Sequence, residues 1–71
     1  MAKVGWSDIA DIIQKVYEAN GRIERADAVA EAENRDASDD VIDAVDAIGS
    51  RVFNTPELAK GFLVTNGYVD P

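Results

Sequence analysis

Apolar and polar positions alternate along this chain with a helical period in four places, each bounded by residues that start or stop helices. From Asp8 to Ala19, Ile9, Ile12, Ile13, Val16 and Ala19 recur at the three-four spacing of an amphipathic helix. Turned at about 100° per residue, Asp11, Gln14, Lys15 and Glu18 gather on the opposite side. Ser7 is the expected N-cap, Asp8 and Asp11 suit the positive end of the helix dipole, and Asn20-Gly21 is a stop. A second helix is expected over Arg25 to Asn34. There Ala26, Ala28, Val29, Ala30 and Ala32 give high propensity but only one large apolar side chain, so the reading is close packing against a neighbour. Glu31 and Arg35 are spaced for an i,i+4 ion pair.

A short link, Arg35-Asp36-Ala37, leads to Ser38 as cap of a third helix, Asp39 to Ile48. Its inner face is Val41, Ile42, Ala44, Val45 and Ile48, and Asp39, Asp43 and Asp46 fall within about 60° on the other side. Gly49 is the expected terminator. Thr55-Pro56-Glu57 opens the last helix, with Thr as cap and Pro at the first helical position, running to Phe62 or Leu63 before Asn66-Gly67. Arg51-Val52-Phe53 suits a short extended piece, for which Gly21-Arg22-Ile23-Glu24 and Gly67-Tyr68-Val69 are the available partners. The expected architecture is all-α: one four-helix domain over residues 1–71 with a helix-turn-helix-like centre and room for one short strand pair.

Composition narrows the chemistry. In 71 residues there are 14 acidic and 7 basic side chains, a net charge of -7, and no His or Cys. That removes the Ser-His-Asp and Cys-His dyads, the usual nitrogen and sulfur zinc sites, haem attachment and disulfides. The glycines are isolated and form no phosphate loop, and Ser7, Ser38, Ser50 and Thr55 read as caps or turn residues. Carboxylates at Asp36, Asp39, Asp40 and Asp43 do not fit the register of a calcium loop. The expectation is a protein that is not an enzyme, with no cofactor and no metal. No run approaches the roughly 20 apolar residues of a membrane span. The opening residues lack the apolar stretch of a secretory signal, and with no Cys this points to the cytoplasm.

From Gly21 to Phe62 the order of features resembles a family of short bacterial and archaeal domains of unknown function. The resemblance is carried by the Ala/Glu-rich helix, the turn, the acidic Ser38-Asp39-Asp40-Val41-Ile42-Asp43-Ala44-Val45 segment and the Ser50-Arg51-Val52-Phe53-Asn54-Thr55-Pro56-Glu57 link. That family often has a Gly where this chain has Arg35-Asp36-Ala37. The resemblance implies a helical fold and carries no catalytic residues.

Three modes of action remain. A protein-interaction or assembly module, binding another protein or itself, would use aromatic anchors at the rim, Trp6 and Tyr68, with Asp39, Asp43 and Asp46 steering a basic partner. An acidic mimic of nucleic acid would use that carboxylate row as its main contact, inhibiting a basic DNA- or RNA-binding protein. A helix-turn-helix-like regulator would have to reach DNA through Arg22, Arg25 and Arg51. Direct nucleic-acid binding is disfavoured, because the helix that would enter the groove presents carboxylates to phosphates. A chain this short gains little margin from its own core, which makes partner or self-association a natural expectation.

Overall fold

The computed structural model describes residues 2–71. Among them are four helices, α1 (Trp6–Asn20), α2 (Arg25–Asn34), α3 (Asp39–Asp46) and α4 (Pro56–Thr65), with two short strands, β1 (Ile23–Glu24) and β2 (Val52–Phe53). The strands pair antiparallel, Ile23 with Phe53 and Glu24 with Val52. Because β1 precedes α2 and β2 follows α3, this pairing holds the two ends of the α2–α3 unit together. The open question of strand pairing is thereby answered: Arg51-Val52-Phe53 takes the segment after Gly21 as its partner.

Gly67-Tyr68-Val69 does something different. It leads to Asp70, which forms a parallel bridge with Gly5. Asp70 donates its N–H to the Val4 carbonyl at 2.9 Å and accepts the Trp6 N–H at 2.7 Å. Val4 and Val69 are both buried on the inner side of this bridge. The bridge also moves the start of the first helix. Gly5 is the N-cap in an extended conformation, and Asp8 accepts the Gly5 N–H at 2.9 Å. Ser7, expected as the cap, therefore lies one residue inside the helix and is exposed.

One apolar cluster joins all four helices. Ile9, Ile13, Ile23, Val45, Ile48, Leu63 and Val69 are its large fully buried side chains. On α2 only Ala28 and Ala32 are fully buried, which lets that helix approach its neighbours closely, as its composition suggested. Ala19, assigned to the apolar face of the first helix, is exposed at its carboxyl end. The Glu31–Arg35 pair forms at 2.6 Å.

Two helix ends differ from expectation for local reasons. The third helix stops at Asp46, two residues short, because Ile48 and Gly49 donate three residues back, to Val45 and Asp46, and tighten the last turn. Ile48 is still buried. The fourth helix runs on to Thr65, where Gly67 (φ 77) donates to Val64 and Tyr68 to Leu63. This double bond pattern is a Schellman ending. The same pattern closes α2, where Asp36 donates to Glu33 and Ala37 to Ala32. There the left-handed position is held by Asp36, at φ 54. Among the described residues no helix is long and apolar enough to cross a membrane.

Candidate functional site

The acidic row is built by α3. The Ser38 hydroxyl accepts the Val41 N–H at 3.3 Å and sets where the helix begins. Ala44 and Val45 then turn into the core, while Asp39, Asp40, Asp43 and Asp46 are exposed. Asp39 and Asp40 lie in the first turn, where the dipole favours them. Asp46 lies at the other end, where the dipole disfavours a carboxylate. It is met there by Arg25, at the start of α2, at 3.2 Å. Both side chains are about half exposed, so the pair is worth a few tenths of a kcal/mol.

Tyr68 sits immediately after the Schellman ending of α4. In the bend that follows, Val69 is buried and Tyr68 is left 46% exposed. Its ring centroid is 6.1 Å from that of Phe62, which is 5.6 Å from Phe53. The three rings make a tilted row across the carboxyl end of the fold. Arg51 lies over the Phe62 ring, 4.4 Å from its centroid. Leu58, one helical turn before Phe62 on α4, is also exposed, as is Val52 on β2.

Between α3 and the bridge lies an open depression of about 320 Å³, lined by Asp40, Asp43, Ala44, Val4, Lys3 and Tyr68 among others. Among the described residues neither Asp40 nor Asp43 has a cationic partner within ion-pair distance. The structure thus brings Asp43 and Tyr68 to one concavity, 25 residues apart in sequence. Asp39 and Asp46 flank it on the same helix without lining it. Asp40, weighed above only as a calcium ligand, lines it too, and Phe62 and Leu58, not named above as contact residues, adjoin Tyr68 along α4; the Leu58–Phe62 i,i+4 spacing was the available signal.

Trp6 is placed elsewhere. It is the first residue of α1 rather than a residue outside it, half-buried against the core. Its ring lines a groove between α1 and α4 with Ala10, Gln14, Pro56 and Lys60, and the Lys60 ammonium is 5.9 Å from the ring centroid. A third open depression, with Lys15, Asp27 and Glu31 at its edges, separates α1 from α2.

The arginines that a DNA-binding reading needs all flank the small sheet. Glu24 holds Arg22 at 2.6 Å, a hydrogen bond and charge that raise the Arg22 pKa. Arg25 is spent on Asp46, and Arg51 covers Phe62. Among the described residues no three carboxylates converge as metal ligands would. Compared with known proteins, the chain matches no family model, no curated protein and no solved structure.

Proposed function

We propose that this chain is a non-enzymatic protein-interaction or assembly module of the cytoplasm. The observation that carries the reading is the juxtaposition of the exposed Tyr68 and Leu58 and the half-buried Phe62 with Asp40 and Asp43, carboxylates that have no ion-pair partner among the described residues. Apolar anchors beside a charged border are the usual make-up of a protein interface. The depressions are shallow and open to solvent, a poor setting for the desolvated acid–base pairs that catalysis by carboxylates would need. The resemblance to the family of short domains of unknown function is kept as part of this proposal. Asp36 supports it, because this residue adopts the left-handed conformation at the turn where that family often carries Gly.

The acidic mimic of nucleic acid is the second reading, favoured by the exposure of Asp39, Asp43 and Asp46 on one face of α3. The engagement of Asp46 by Arg25 counts against it, since one of the three charges is partly neutralised. The helix-turn-helix-like view of α2 and α3 remains a comparison of shape. A regulator built on it would present carboxylates where phosphates lie, with Arg22 and Arg25 already paired.

Native capture of the tagged chain from lysate of the cells that make it, washed at low and high salt, tests the reading. A specific protein retained through both washes is expected for an interface anchored on apolar groups. Nucleic acid alone in the eluate would contradict the proposal. Changing Asp39, Asp43 and Asp46 together to Asn separates the modes: an anchored interface loses association rate, a mimic loses binding altogether, and a DNA regulator gains affinity.

A further inference from the structure

The aromatic row and the acidic depression are continuous, because Tyr68 belongs to both. Centroid steps of 5.6 and 6.1 Å make the row no longer than about 12 Å, the length of three to four extended residues at about 3.4 Å each. At one end, Asp40 and Asp43 line the concavity without cationic partners among the described residues, and Tyr68 lines it with them. Over the middle ring of the row, Phe62, lies Arg51. The surface is therefore polarised, with negative charge beside Tyr68 and positive charge one ring further on, over Phe62.

We propose that this surface takes a short extended segment of a partner protein that bears a Lys or Arg followed by apolar residues, its basic side chain in the Asp40–Asp43–Tyr68 depression and its apolar side chains along Phe62 and Leu58. Charge complementarity selects this occupant. A guanidinium or ammonium gains two carboxylates and an aromatic neighbour in the depression, whereas Arg51 repels a cation over Phe62 and so sets the direction of the segment. A second copy of this chain is the poorer fit, because each copy carries a net charge of -7. Lys3, also on the rim, is exposed and can move its flexible side chain away from an incoming cation. The inference rests on the interaction-module reading and adds the chemistry of the partner.

The test is selection of random twelve-residue peptides displayed on phage against the full chain. Enriched sequences are expected to combine Lys or Arg with nearby Leu, Ile, Met or aromatic residues. Their affinity should fall about tenfold with Tyr68→Ala and with the Asp40→Asn, Asp43→Asn pair, and hold with Lys60→Gln in the Trp6 groove. All substituted side chains are exposed, and far-ultraviolet dichroism checks that the variants remain folded. No enrichment, enrichment of acidic peptides, or binders indifferent to Tyr68, Asp40 and Asp43 would overturn the proposal. So would concentration-dependent dimerisation that Tyr68→Ala abolishes, since a second copy would then own the surface. A lysate partner that survives these same substitutions would leave the interaction-module reading intact while removing this one.

Discussion

Trp6 and Tyr68 look alike in sequence, each an aromatic residue beside a helix end and near a chain terminus, yet the fold treats them in opposite ways. Trp6 begins α1, donates its N–H to Asp70 and packs its ring against the core, with Lys60 near its outer edge. Tyr68 follows the end of α4, is 46% exposed, and continues a row of rings toward an acidic depression. The difference comes from backbone chemistry. A residue at the start of a helix inherits the helical face on which it falls. A residue after a Schellman ending leaves the helical face, and here the chain bends so that Tyr68 stays exposed while Val69 is buried. An aromatic near a helix end is therefore packed or exposed according to which end it occupies and what its neighbour does.

Stability measurements can break this contrast. The largest effect is expected within α4 itself. Leu63→Ala should cost about 3 kcal/mol in urea unfolding, because Leu63 is fully buried. Leu58→Ala, in the same helix but more than half exposed, should stay within about 0.5 kcal/mol. Equal costs would mean that the apolar surface of α4 is core rather than contact surface. Next in size, Trp6→Ala should cost about 2 kcal/mol, a half-buried ring lost from the core. Tyr68→Ala should cost well under about 1 kcal/mol by the same assay. A reversal of that order would make Tyr68 the structural residue of the two.

The two Schellman endings provide a finer comparison. Gly67 meets the left-handed requirement without strain, while Asp36 carries a side chain at φ 54. Asp36→Gly should raise the melting temperature by a few degrees, corresponding to about 0.5 kcal/mol, with the larger unfolded-state entropy of Gly limiting the gain. Calorimetry would detect it, and a fall in melting temperature would show that the Asp36 carboxylate contributes more than its backbone costs. The smallest effect belongs to Arg25 and Asp46. A double-mutant cycle with Arg25→Ala and Asp46→Ala should return a coupling of about 0.3 kcal/mol that shrinks with added salt. A coupling near zero would return Asp46 to the free carboxylates of the acidic row.

Features decided by a few adjacent residues were legible in the sequence. Ser38 and Thr55 cap their helices as expected, the latter accepting the Leu58 N–H at 3.3 Å. The Glu31–Arg35 pair follows from spacing alone. What could not be read depends on residues far apart in the chain. The shift of the first cap from Ser7 to Gly5 is fixed by Asp70. Val4 and Val69 are single apolar residues in short segments without a period, and only the bridge gives them an inside. The surface assembled around Tyr68 was half visible. The exposed carboxylates and the rim aromatic could be named from the sequence, but their meeting at Asp43 and Tyr68 needs both the Schellman turn and the bridge. The pairing of Asp46 with Arg25 spans 21 residues and had no local signal.

The central claim is that the partner surface lies at the Tyr68 end and not in the Trp6 groove. The most direct measurement is retention of the captured lysate partner by the wild-type chain, by Tyr68→Ala and by Lys60→Gln, compared at equal protein concentration. The account predicts that Tyr68→Ala loses the partner while Lys60→Gln keeps it. Retention by Tyr68→Ala together with loss by Lys60→Gln would contradict it and move the interface to the groove between α1 and α4.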